Sequence, residues 1–173
     1  MGELHLILGC MYSGKSTELI RKLLRYKSIG MNIFCINSIK DTRTPNNEIK
    51  THDNNIIPAC KVDKLSQVFI PHNTNVIGID EAQFFTDLLT FVQLKMKQNY
   101  IIIISGLDGD YQQKKFGNIL DLIPIATTYV KIYAICQNCK NFKGSFTKRI
   151  TNSKEKVLIG DKKDYISVCR SCL

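Results

Sequence analysis

The sequence predicts an α/β protein, a parallel sheet flanked on both faces by helices, with a small C-terminal unit of different character. Three observations carry this. Short apolar runs of strand length alternate with segments of helical period. The first of these runs passes through a Gly-rich turn directly into a helix. Beyond about residue 131 the apolar runs give way to a stretch rich in Lys, Ser and Thr, bracketed by two Cys-x-x-Cys pairs. The expected division is therefore a core over residues 1–131 and an appended unit over residues 132–173. A chain of 173 residues holds one good core with such an appendage and is too short for a two-lobed enzyme.

Taken in order, residues 4–8 are apolar and end at Gly9, as a buried parallel strand would. From Ser16 to Ser28 the residues Leu19, Ile20, Leu23 and Leu24 recur at helical spacing, with Arg21, Lys22, Arg25 and Lys27 outside and Gly30 placed to end the helix. Residues 33–36 read as a second strand, and the polar, Asn-rich stretch 38–55 as a loop. Val76–Ile79 is a third buried strand, running into Asp80 and Glu81. A helix over roughly residues 86–98 can place Leu88, Phe91, Val92 and Met96 on one face. Residues 101–104 form a fourth strand, and residues 108–118 another polar loop. In such a sheet, ligands gather at the carboxyl ends of the strands.

Composition narrows the function classes. With 44% hydrophobic and 23% charged residues, 10 Gly and 4 Pro, the chain is neither disordered nor collagen-like. Apolar runs such as residues 101–104 fall far short of the roughly 20 residues that span a membrane. The start, Met1-Gly2-Glu3-Leu4, lacks a secretory pattern, and Leu6 stands where a myristoylation motif wants Ser or Thr. A cytoplasmic protein with no membrane partner is the expectation. The net charge, 24 − 15 = +9, favours anionic partners: nucleic acid, acidic lipid or phosphorylated small molecules.

Two motifs carry chemistry. Gly9-Cys10-Met11-Tyr12-Ser13-Gly14-Lys15-Ser16 matches G-x-x-x-x-G-K-[ST], whose backbone N–H groups cradle phosphates while Lys reaches the β and γ oxygens and Ser holds Mg²⁺. It lies between a strand and a helix, as that chemistry requires. A P-loop also needs a carboxylate to order the metal's water shell, and Asp80 ends an apolar strand. Glu81, the next residue, stands where a base for an attacking hydroxyl belongs.

The second motif is the pair Cys136-x-x-Cys139 and Cys169-x-x-Cys172, four thiolates for one closed tetrahedral Zn²⁺ site of structural type. The long interval 140–168 means that the metal would pin the two ends of a large loop. Cys10, Cys35 and Cys60 have no matching partners, and His5, His52 and His72 are too scattered to suggest a triad. These residues leave open a phosphotransferase and a basic, zinc-containing P-loop ATPase that grips nucleic acid. Against the ATPase, no Lys/Arg stripe is interleaved with aromatics as a single-strand platform would need.

With these pieces in place, residues 4–172 resemble the zinc-containing, cytosolic (type II) thymidine kinases, the short poxviral members most of all. The resemblance rests on the phosphate loop, Asp41-Thr42-Arg43, Thr51-His52-Asp53, Asp80-Glu81-Ala82-Gln83-Phe84-Phe85, Gly106-Leu107-Asp108-Gly109, Phe146-Thr147-Lys148-Arg149 and Val168-Cys169-Arg170-x-Cys172. Cys10 departs from the Pro usual in that family, and Tyr111 from a frequent Phe.

The resemblance implies transfer of the ATP γ-phosphoryl group to the 5′-hydroxyl of thymidine, with no nucleic-acid partner. It implies an ATP site of Gly9, Met11, Ser13, Gly14, Lys15, Ser16, Thr17, Asp80 and Gln83, with Mg²⁺ at Ser16 and Asp80. It makes Glu81 the base, with Lys15 and Arg43 stabilising the transferring group. Met11, Phe84, Leu107, Tyr111 and Tyr165 would line the nucleoside pocket, closed by the backbone of a zinc-anchored loop around Val157, Ile159 and Gly160. Such a loop would keep water from competing as phosphoryl acceptor. A homotetramer inhibited by thymidine triphosphate is also implied. Because the ATP residues lie in the core and the thymine contacts between the cysteine pairs, zinc is expected to be coupled to nucleoside binding and largely separate from ATP binding.

Overall fold

A computed structural model describes residues 2–42, 46–51, 55–141, 143–151 and 163–173. Strand β1 (Glu3–Gly9) leads into helix α1 (Lys15–Ser28), followed by β2 (Ile33–Ser38), β3 (Glu48–Lys50), β4 (Ile56–Pro58) and β5 (Cys60–Val62). Then come β6 (Val76–Ile79), α2 (Leu88–Lys97), β7 (Ile101–Gly106), β8 (Thr128–Ile132), β9 (Phe146–Arg149) and β10 (Tyr165–Val168). Six strands form one sheet in the order β5-β2-β6-β7-β1-β8, and its pairings are all parallel. The four predicted strands are its centre.

Alternation along the central strands sends side chains to two cores. Leu4, Leu6 and Leu8 of β1 join Ile77, Ile79, Ile102 and Ile104 on the face covered by α2, through Leu88, Phe91 and Val92. Ile7 and Ile103 face the other way, onto Leu19, Ile20 and Leu23 of α1. Each such burial contributes about 1.5–3 kcal/mol, and this packing, more than intrinsic propensity, holds a helix of 14 residues in place. Leu24, expected on the buried stripe, is 48% exposed instead. Its place on the wheel falls just past the edge of the sheet contact.

Part of the polar stretch 38–55 is not loop. Glu48–Lys50 pairs antiparallel with Ile56–Pro58, placing Ile49 and Ile57 in the α1-side core. Strands of three residues are too short to show a period, so the pairing left no pattern to read. Edge strand β8 likewise carries no apolar pattern in the sequence. Thr128, Tyr129, Val130 and Lys131 are all exposed, and the strand is defined by its backbone ladder to β1.

Asp87 braces the packing of α2. Its carboxylate accepts from the N–H of Leu65 at 3.1 Å and of Ser66 at 2.9 Å, at the start of a 3₁₀ turn. Burial pushes its pKa up, but these backbone donors outweigh it and leave the carboxyl below its ordinary value. Its stabilisation is therefore present above the unfolded pKa of about 3.9 and is lost as pH falls through the lower folded value. Asp87→Asn is expected to lower Tm at neutral pH, with the gap to the parent narrowing as pH drops from about 5 to about 2. Thermal melts at several pH values check this, and a gap that widened on acidification would refute it.

Candidate active site and cysteine cluster

The phosphate loop leaves β1 at Gly9, whose φ is 155° and where a Cβ would lie 2.5 Å from the Ile132 carbonyl oxygen of β8. A side chain there would have to displace the backbone of the edge strand. Tyr12 and Gly14, at φ 62° and 83°, complete the turn before α1 opens at Lys15. The unpaired first-turn N–H groups of such a helix favour an anion. Two side chains brace the loop from inside: Ser13 Oγ donates to the Cys10 carbonyl at 2.9 Å, and buried Lys15 Nζ to the same oxygen at 2.6 Å.

Asp80, 1% exposed at the carboxyl end of β6, is held by two hydroxyls. Ser16 Oγ of α1 donates to Oδ2 at 2.7 Å, and Ser105 Oγ of β7 donates to Oδ1. The two proposed magnesium residues thus meet across 64 positions of sequence. Glu81 follows at φ 51°, a left-handed conformation uncommon for Glu, which ends the strand by a sharp turn. Its Oε2 accepts from Gln83 Nε2 at 2.7 Å, and Gln83 Oε1 in turn accepts from the Leu107 N–H at 3.0 Å. Hard oxygen donors converging beside a lysine suit Mg²⁺ and phosphate.

Of the residues assigned to the nucleoside pocket, Tyr111 and Tyr165 are brought together by Arg149 of β9. Its guanidinium lies 3.8 Å from the centroid of the Tyr111 ring and donates to the Tyr165 hydroxyl at 2.6 Å. Phe84 stacks edge-to-face on Phe116 at 5.5 Å. The backbone N–H of Met11, inside the phosphate loop, donates to the Thr147 hydroxyl at 3.0 Å. Arg43, Val157, Ile159 and Gly160 lie outside the described residues, as does His52. Sequence reasoning gave no role to Phe116, Thr147 or Arg149. The motif 146–149 was visible, but nothing local told that its Thr and Arg point at residues 11 and 111.

Zinc is expected to be largely separate from ATP binding, yet the C-terminal unit touches the phosphate loop. Besides the Met11–Thr147 bond, the Cys10 thiol donates to the Gly144 carbonyl at 3.1 Å. Burial raises the Cys10 pKa, with Lys15 opposing, so the thiol keeps its proton as donor. The unit that carries the cysteines therefore supports the phosphate loop directly.

Cys136, Cys139, Cys169 and Cys172 place their sulfurs within 4.8 Å of one another. The Cys139 and Cys169 sulfurs are 3.7 Å apart, far from a disulfide and close to the edge of about 3.8 Å for a tetrahedron of ~2.3 Å Zn–S bonds. Within the cluster, Cys136 and Cys172 are pulled in opposite directions. Burial works against ionisation of Cys136, yet N–H groups of Cys139, Cys169 and Asn138 draw it down to about 6. Cys172, held first by its hydrogen bond with Cys169, is pushed up to about 12. A divalent cation would relieve that opposition, and four converging sulfurs suit zinc.

The thymidine kinase family model matches residues 2–173. A thymidine kinase of sheeppox virus is 44% identical over 172 residues, covering 99% of this chain and 96% of the relative. One of Yaba monkey tumor virus is 44% identical over 172 residues, covering 99% and 94%. The human cytosolic thymidine kinase is 40% identical over 174 residues, covering 99% of this chain and 73% of that protein. With a phosphate loop, a serine-bridged aspartate, an adjacent glutamate and a four-cysteine cluster spread along the whole matched length, the chain belongs to the thymidine kinase family.

Proposed function

We propose that this protein transfers the γ-phosphoryl group of ATP to the 5′-hydroxyl of thymidine, giving thymidine 5′-monophosphate. The observation that carries the reading is the Ser16–Asp80 contact at the end of the phosphate loop with Glu81 as the next residue, in a chain of this family. In it, the phosphate-loop residues Gly9, Met11, Ser13, Gly14, Lys15, Ser16 and Thr17 take the ATP phosphates. Ser16 and Asp80 would hold Mg²⁺, which supplies charge neutralisation across the β and γ phosphates when bound.

Glu81 removes the 5′-hydroxyl proton as that oxygen bonds to the γ-phosphorus, and the β–γ bridging oxygen leaves with its electron pair on ADP. Lys15 and Arg43 stabilise the charge on the transferring group. Asp41, two residues before Arg43 in sequence, is buried: its carboxylate accepts from Asn37 Nδ2 at 2.8 Å, and its carbonyl from Lys61 Nζ at 2.8 Å. Met11, Phe84, Leu107, Tyr111 and Tyr165 enclose the nucleoside, with Val157, Ile159 and Gly160 closing the pocket. Cys136, Cys139, Cys169 and Cys172 would hold Zn²⁺, which would tie the two ends of the interval between the cysteine pairs. The same family reading makes the protein a cytoplasmic homotetramer inhibited by thymidine triphosphate, acting without nucleic-acid or membrane partners.

Among the described residues no helix is long and apolar enough to cross a membrane. The test is a panel of nucleosides with Mg·ATP, following 5′-monophosphate formation, with single-stranded DNA as a parallel addition. Thymidine is expected to be phosphorylated and DNA to have no effect on ATP turnover. Hydrolysis of ATP stimulated by DNA and not by thymidine would overturn the reading in favour of a nucleic-acid-dependent ATPase.

A further inference from the structure

Gln83 is 3% exposed, yet it spends both ends of its side-chain amide on groups at the site. The Leu107 N–H can only donate, so the atom facing it at 3.0 Å is Oε1. This leaves Nε2 to meet the Glu81 carboxylate, at 2.7 Å. The orientation of the amide is thereby set by hydrogen-bond chemistry and cannot be reversed without opposing two donors at Leu107. The β7 end is shaped around it: a Cβ on Gly106 would stand 2.7 Å from Gln83 Oε1. Glycine at that position leaves the amide its place. Glu81 itself sits on a left-handed backbone where the chain turns sharply off the end of β6.

We infer that Gln83 is a positioning residue for Glu81: its amide orients the carboxylate by a charge-assisted hydrogen bond and ties it to the strand end carrying Leu107. This rests on the reading of Glu81 as base, and it assigns Gln83 a task other than binding the nucleotide. A directed donor on one oxygen of a carboxylate helps fix where the second oxygen points, which a near-attack geometry demands. The bond to Leu107 makes the same amide a link between the strand end that carries a nucleoside-pocket residue and the base.

The test is a double-mutant cycle on the full chain with thymidine and Mg·ATP. Gln83→Met keeps the length of the side chain and removes both hydrogen bonds. It is expected to lower kcat roughly 10- to 100-fold, the range for losing a hydrogen bond to a charged group, with the KM and calorimetric Kd for Mg·ATP unchanged. In the Glu81→Gln background the same change is expected to add less than about twofold, because a group that acts through Glu81 has nothing left to position. Gln83→Glu serves as the second variant should Gln83→Met fold poorly. It keeps an acceptor for Leu107 and removes the donor for Glu81, and is expected to lose at least as much kcat. A full additional loss in the Glu81→Gln background would overturn the proposal, as would a weakened Mg·ATP Kd with kcat preserved, which would make Gln83 a nucleotide ligand. A fully active Glu81→Gln single mutant would instead remove the base reading itself.

Discussion

Glu81→Gln is expected to lower kcat by roughly 10² to 10⁴ while leaving Mg·ATP affinity close to that of the parent. The substitution is nearly isosteric, and the new amide oxygen can still accept from Gln83 Nε2, so the contact seen at 2.7 Å need not be broken. What is removed is the ability to take up a proton. Thymidine's 5′-hydroxyl would then have to attack while still protonated, or lose its proton to water in a pocket proposed to exclude it. In the proposed function the nucleotide is held by other groups: the loop opening α1, Lys15, and the Ser16–Asp80 pair. Steady-state kinetics with a calorimetric titration of Mg·ATP separates the two. An unimpaired kcat would take the role of base away from Glu81, whereas a matching collapse of ATP affinity would mean that the carboxylate serves the metal.

Cys169→Ser is expected to abolish zinc binding and to weaken both substrates, thymidine more than Mg·ATP. The path from the cluster to the site is short and continuous. Gln137, between the paired cysteines, donates its N–H to the Ser167 carbonyl at 2.9 Å, and the Ser167 hydroxyl donates to Ile135 at 3.1 Å. Ser167 is the register partner of Thr147 in the two-stranded ladder of β9 and β10. Thr147 in turn accepts from Met11 in the phosphate loop, and Gly144 accepts from Cys10. Loosening the cluster is therefore expected to free Tyr165 and Arg149, and to remove two props from the phosphate loop.

Reordering even two backbone residues at each binding event costs about 2–4 kcal/mol, or roughly 30-fold or more in affinity. Mg·ATP suffers less because α1 and the sheet still present most of its loop. Metal analysis, a circular dichroism check of folding and separate calorimetric titrations of the two ligands measure this. A folded, zinc-free mutant that bound both ligands like the parent would reduce the cluster to a stability device. One that lost thymidine alone would show that the bonds from Gly144 and Thr147 to the phosphate loop are dispensable.

The sequence alone determined the elements whose chemistry is local. Residues 9–16 are contiguous, so the spacing of Gly9, Gly14, Lys15 and Ser16 contains their geometry, and each cysteine pair carries its own metal-ligand spacing. The four central strands and both helices were legible because burial on a sheet or a helix face imprints a period on the side chains. Arg43 and residues 157–160 were read from motif resemblance and lie outside the described residues.

Tertiary structure decided what no period can encode. Strand β8 and the β3–β4 pair are held by backbone ladders in segments too exposed or too short to pattern. The bond from Met11 to Thr147 joins residues 136 apart, and the amide of Gln83 finds Leu107 across 24. A side-chain pattern records how much of a residue is buried. It does not record which distant donor or acceptor that residue meets, because this is set by strand order and register, and here those put the cysteine-bearing unit against the phosphate loop.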